Sequence, residues 1–148
     1  MKVKIKASGP DYEKIKEELE SHGIEVVDDS SLCIYLEDIS PQKLFGKKEG
    51  KIFELDINKI EMFECFDHDV FAIIDDVSYS IDSTLKDLEE KLKSFNFLRI
   101  NKSEIVNINM IDYIVPIFGM KFKLTLKSKK YVYVTRTYYY NFKNKIGF

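Results

Sequence analysis

The sequence predicts an α+β chain that is predominantly β: an elongated β-sheet domain with short helices, preceded by a small β-α-β-β segment. Two observations carry this expectation. Beyond residue 52, short apolar runs of four to seven residues are separated by Asp, Asn, Gly and Ser turn residues, the punctuation of strands. Helical spacing dominates only at Tyr12, Ile15 and Leu19, and again at Leu85, Leu88, Leu92 and Phe95. With 148 residues, 45% hydrophobic and 32% charged, the chain has room for one ordinary domain with a short appendage, and its apolar content excludes dominant disorder.

The elements follow in order. Lys2-Val3-Lys4-Ile5-Lys6 alternates as a strand. Pro10 with Asp11 and Glu13 suits a first helical turn, where a fixed φ and negative charge are favoured, and Gly23 supplies the stop. Residues 24–27 and 32–36 read as strands joined by the polar turn Asp28-Asp29-Ser30-Ser31. A unit this small cannot bury a stable core alone, so residues 1–45 are expected to serve in dimerisation or partner docking. Residues 37–51 read as a connector, and residues 52–148 as the main domain. Strands are expected at 52–55, 60–66, 70–74 and 77–81. A helix follows, capped by Asp82 or Ser83, with Thr84-Leu85-Lys86-Asp87 resembling a capping box. Further strands fall at 97–101, 111–117, 121–126 and 131–135, and a short helix at 137–146 ends the chain.

Several function classes drop out. No apolar run approaches the ~20 residues of a membrane span, and the alternating N-terminus builds no signal-peptide core. The expected location is cytoplasmic. Cys33 and Cys65 lack partner spacing for a disulfide scaffold or a zinc cage and read as small core fillers. His22 suits a helix exit. Glu64, Asp67 and Asp69 lack the Gly and terminal Glu of a calcium loop. No nucleophile–base pair, phosphate loop or helical metal pair is present. Neither an enzyme, a metal, a cofactor nor a small-molecule substrate is inferred.

Charge is unevenly spread. Residues 94–148 carry 10 Lys and Arg against Glu104 and Asp112, for +8; residues 1–93 carry 13 against 23, for −10. Such asymmetry marks a polyanion-binding face. Its candidates are Arg99, Lys102 and Ser103, with Asn101 and Asn107 adding amides; Thr135, Arg136 and Thr137, where a helix start, hydroxyls and a guanidinium suit a phosphate or a guanine edge; and Lys127, Lys129 and Lys130, a basic hairpin tip that adds attraction without sequence information. Tyr131, Tyr133, Tyr138, Tyr139 and Tyr140 could stack on RNA bases, but their spacing assigns most of them to the core.

Three motifs in order complete the reading. The stretch from Phe97-Leu98-Arg99-Ile100-Asn101-Lys102-Ser103 through Val106-Asn107 to Ile111 resembles the central signature of the LytTR DNA-binding domain. Thr84-Leu85-Lys86-Asp87-Leu88-Glu89 is similar to the family's helix, and Leu124–Lys130 with Val132-Tyr133-Val134-Thr135-Arg136 to its ending. The resemblance covers residues 52–148. It implies a cytoplasmic bacterial transcription regulator that binds double-stranded promoter DNA at repeated half-sites, as a homodimer, with loops in the major groove. It implies Lys102 and Arg136 as base readers and His68, in an uncertain register, as a third. Arg99, Asn101, Ser103, Asn107, Lys127, Lys129, Lys130, Thr135 and Thr137 become phosphate or loop-support candidates. The roughly 45 preceding residues are too few for a phosphoryl-receiver domain, so phosphorelay control is not expected, and a membrane-protein inhibitor encoded nearby is an implied partner. Departures are Asn101 for the usual His, Glu104 for an aromatic, Thr135 for Ser, and no Gly in the last hairpin. Glu104 and the acidic first half favour the alternative, a protein-interaction or sensory module of this fold that has lost DNA binding.

Overall fold

The computed structural model describes residues 1–6, 10–35 and 43–148. The chain divides into two compact units, Met1–Gln42 and Lys43–Phe148.

In the first unit, strand β1 (Lys2–Lys6) is followed by helix α1 (Pro10–Ser21) and strands β2 (Glu25–Val26) and β3 (Cys33–Tyr35). The polar turn does not join β2 and β3 as a hairpin. Both run parallel to β1 on either side of it, in the order β2-β1-β3. β2 pairs with residues 2 and 3, and β3 with residues 4 to 6. The Ser30 hydroxyl donates to the Lys2 carbonyl at 2.9 Å and anchors the crossing. Alternation along β1 buries Val3 and Ile5. α1 ends as its glycine requires: Gly23 has φ +76°, and the Gly23 and Ile24 N–H groups donate back to Glu20 and Leu19.

The second unit opens with strands β4 (Leu44–Lys48) and β5 (Lys51–Leu55), then β6 (Met62–Phe66), β7 (Asp69–Ile74), β8 (Val77–Ile81), helix α2 (Leu85–Lys91), β9 (Phe97–Asn101) and β10 (Glu104–Asn107). These strands form one antiparallel sheet in the order β5-β4-β8-β7-β6-β10-β9. Two of them correct the sequence expectation. β4 lies within residues read as connector, where Gly46 and two lysines suggested a loop. Gly46 is instead a packing requirement, since a Cβ there would lie 2.7 Å from the Tyr79 Cβ and 2.8 Å from a Leu55 methyl. β10 was not expected as a strand of its own. Two-residue turns close three hairpins, at Glu49-Gly50, Asp67-His68 and Asp75-Asp76, with positive φ at both positions as a tight right-twisted hairpin demands.

The chain continues into β11 (Ile111–Ile117), β12 (Lys121–Leu126) and β13 (Tyr131–Val134), a separate antiparallel sheet in that order, and ends with helix α3 (Tyr139–Ile146). A 3-10 turn, Arg136–Tyr138, precedes α3, which therefore starts two residues later than expected. Thr84, not Asp82 or Ser83, caps α2, its hydroxyl accepting the Asp87 N–H at 3.1 Å.

The apolar pattern explains the layering. Consecutive residues of a strand face opposite sides. Phe63, Ile105, Val70 and Ala72 join Leu85 and Leu88 of α2, and Leu92 that caps its C-terminus, in one core. Their neighbours Met62, Val106 and Ile73 join Phe122, Leu124, Val132, Val134 and Phe142 in the other. The central sheet is thus buried on both faces, which is why Val70–Ile74 of β7 reads as a continuous apolar run and β6 opens on the adjacent buried pair Met62 and Phe63.

Candidate nucleic-acid interface

Three turns meet at one end of the second unit. β9 and β10 are joined by Lys102-Ser103, and the backbone of this turn is heavily tied down. The Asn101 Oδ1 accepts the Ser103 N–H at 2.9 Å, while its Nδ2 donates to the Tyr133 carbonyl at 3.0 Å and to Glu104 Oε2 at 2.6 Å. The half-buried Arg99 donates through Nη2 to the Lys102 carbonyl at 2.7 Å and through Nε to the Asn101 carbonyl at 3.3 Å; its Nη1 lies 3.5 Å from Glu89. Arg99, Asn101 and Glu104 are all spent on holding the turn. Glu104, whose negative charge stood against DNA binding, faces the Asn101 amide.

The second turn, Asp67-His68, joins β6 to β7. Glu64 of β6 pairs with Glu104, and the Cys65 N–H donates to the Ser103 carbonyl at 2.7 Å, so this hairpin ends beside the Lys102 turn. His68 is exposed, with φ +69°. The third turn follows β13. The Thr135 N–H donates to the Ile100 carbonyl at 3.0 Å and closes the end of β13 against β9. Arg136 then opens the 3-10 turn, exposed like Thr137, and the Thr135 hydroxyl makes no cap hydrogen bond. Lys102 and Arg136 form no ion pair or side-chain hydrogen bond among the described residues. Their backbones are fixed while their charged ends stay available, the arrangement a reading group needs.

Other candidates lie elsewhere. Asn107 is buried and consumed by the fold: its amide donates to the Ile60 carbonyl at 2.9 Å and accepts the Asn109 N–H at 3.0 Å. It offers nothing to DNA. The Lys127–Lys130 turn sits at the opposite end of β13, roughly 17 Å of extended chain from Thr135. Lys129 pairs with Asp112 at 3.0 Å, Lys130 with Glu64 at 3.6 Å, and the Ser128 hydroxyl donates to the buried Glu61. Lys127 alone of the three lysines has no acidic partner among the described residues. The tyrosines also depart from expectation. Tyr131, Tyr133 and Tyr140 are exposed, and only Tyr138 and Tyr139 pack on the second core, Tyr139 stacking on Phe122 at 4.7 Å. Strand alternation explains it, because Val132 and Val134 take the inward positions. No signal within β13 itself says which of its two faces is buried.

Residues 50–147 match the model of the LytTr DNA-binding domain family. The chain belongs to that family. Its helix, central turn and final Arg are the three motifs that carried the resemblance. Among curated proteins, it is 36% identical over 63 residues to the sensory transduction protein LytT of Bacillus subtilis, a match covering 43% of this chain and 26% of that protein. It is 41% identical over 61 residues to LytT of Bacillus cereus, covering 41% and 25%. The match thus spans about a quarter of the length of each of these two LytT proteins. It is also 27% identical over 104 residues, 70% of both chains, to an uncharacterized HTH-type transcriptional regulator of Staphylococcus aureus. A solved LytTr DNA-binding domain of a Bacillus cereus protein superposes with a TM-score of 0.69 at 23% identity, covering 72% of this chain and 99% of that one. That likeness establishes the predominantly β fold. No helix among the described residues is long and apolar enough to cross a membrane.

Proposed function

We propose that this LytTr-family chain is a transcription regulator that reads promoter half-sites through the Lys102, His68 and Arg136 turns. The observation that carries the reading is the junction of three turns at one end of the sheets, each rigidly held by backbone hydrogen bonds and each presenting an exposed polar or cationic side chain. Arg136 has the donor geometry for a guanine edge, and Lys102 for a guanine or a phosphate. One such end offers a small footprint. Two copies on repeated half-sites supply the affinity a specific site needs, which supports a homodimer on DNA. The first unit, with 5 basic and 10 acidic residues over positions 1–42, is too acidic to add to a DNA footprint. It is assigned to self-association or to docking a partner, such as a restraining membrane protein encoded nearby.

The test is fluorescence anisotropy of the full chain on the duplex upstream of its own coding sequence, against a scrambled duplex, over a salt series. Preference for the promoter, with a log–log salt slope of several units, supports the regulator. Absence of binding to either duplex at low salt sinks it and favours the interaction module.

A further inference from the structure

We propose that the β11–β12 hairpin tip is a fourth DNA-contacting element, in which Phe118 stacks on a base step beside the base read by Arg136 and Lys121 meets a neighbouring phosphate. The inference rests on the DNA-binding reading of the adjoining turns.

Strand register places the tip. Ile117 pairs with Lys121 and Phe122 pairs with Val134. The three-residue tip Phe118-Gly119-Met120 therefore stands level with Thr135 and Arg136, at the reading end and not at the Lys127–Lys130 end. Gly119 and Met120 both have positive φ, at +88° and +58°, so the chain reverses tightly just after Phe118. Phe118 is fully exposed, at 102%, more than any other large apolar side chain among the described residues. The fold draws nothing from that ring. A phenyl group held on a rigid hairpin beside cations is what wedge-type DNA contacts use, sliding an apolar face against a partly unstacked base step. Base–aromatic stacking of this kind is sequence-tolerant, so it complements the reading by Arg136 without duplicating it.

Charge selects the partner. Residues 113–148 hold eight Lys and Arg and no Asp or Glu. Lys121 is exposed next to the tip, and Lys123 lies over the Tyr131 ring at 4.2 Å. A second copy seated on the tip would bring like charges together, which disfavours self-association there. A polyphosphate backbone meets the same surface with complementary charge.

The experiment uses the full chain and its promoter duplex. Anisotropy gives affinity, and 2-aminopurine placed in turn at each step of the half-site reports unstacking. Wild type should brighten 2-aminopurine at one step near the Arg136 base. Phe118→Ala should lose about tenfold in affinity and abolish that signal, while Phe118→Leu, which retains an apolar wedge, should keep part of both. Arg136→Ala should lose affinity yet keep some unstacking at saturating protein. Because Phe118 is solvent-exposed, its variants should unfold at the wild-type temperature. Equal affinity and equal 2-aminopurine signal for wild type and Phe118→Ala overturns the proposal while leaving the regulator intact. So does a Phe118→Ala variant that changes only the sedimentation behaviour, which would assign the ring to a protein contact. A wild type that binds no duplex overturns both readings.

Discussion

Arg99 shows how a residue can shape the proposed reading turn through its backbone. Its guanidinium spans the Asn101 and Lys102 carbonyls, and its planar fork is what allows both contacts from one side chain. Arg99→Lys should therefore lower both promoter affinity and the melting temperature, because a compact ammonium cannot reach both carbonyls. Its salt slope should stay that of wild type, since no phosphate contact is removed; a slope reduced by about one unit would instead make Arg99 a phosphate ligand. Arg136→Ala should behave differently. Loss of a bidentate base contact costs about 1–3 kcal/mol on the specific duplex and relaxes discrimination at one base position. A competition assay against single-base variants of the half-site reads this directly, and equal losses on specific and random duplexes would remove Arg136 from the base readers. Lys129, locked to Asp112 at 3.0 Å, should contribute less to the salt slope than Lys127. Comparing Lys127→Ala with Lys129→Ala across one salt series checks that order.

At the scale of elements, one close approach lies within the sheet and one contact joins it to α2. Gly46 lets β4 lie close beside β8 at Tyr79, whose ring meets Phe53 of β5 edge-on at 5.6 Å. Gly46→Ala puts a methyl where no space exists and should destabilise the second unit by about 1–3 kcal/mol, read by urea unfolding. Leu88, fully buried between α2 and the sheet, should cost about 2–5 kcal/mol as alanine. α2 itself was plain in the sequence, since Leu85, Leu88 and Leu92 repeat at helical spacing and Thr84 can cap. The strands of the central sheet were plain wherever turn residues bounded them. β4 was not, because Gly46, Lys47 and Lys48 have loop composition and form a strand only through pairing with β5 and β8. β10 was hidden for a related reason. Glu104 to Asn107 is four residues long, and its pairing with β6 joins segments 40 or more residues apart in the chain.

The chain divides into two units, the first with one three-stranded sheet and the second with two sheets, and that division predicts separable behaviour. Residues 43–148 contain both large cores and the three turns proposed to read DNA. Expressed alone, they should fold cooperatively and retain half-site binding, checked by circular dichroism melts and anisotropy. Any loss on a two-half-site duplex, relative to the full chain, then measures what the first unit adds through self-association. A fragment that failed to fold would show that the first unit completes the core.

Composition, the +8 carried by residues 94–148, and the ordered motifs around Leu85, Lys102 and Arg136 determined the family, the fold class and the list of candidate residues. These are local properties, legible from spacing and chemistry along the chain. Tertiary structure alone decided which candidates share a surface. It turned Asn107 inward, spent Arg99 and Asn101 on the turn, and paired Lys129 and Lys130 with carboxylates. It also carried the Phe118 hairpin to the Arg136 end. The physical reason is that burial and ion pairing depend on contacts between strands tens of residues apart. Cross-strand register sets those contacts, and no single strand's pattern contains it.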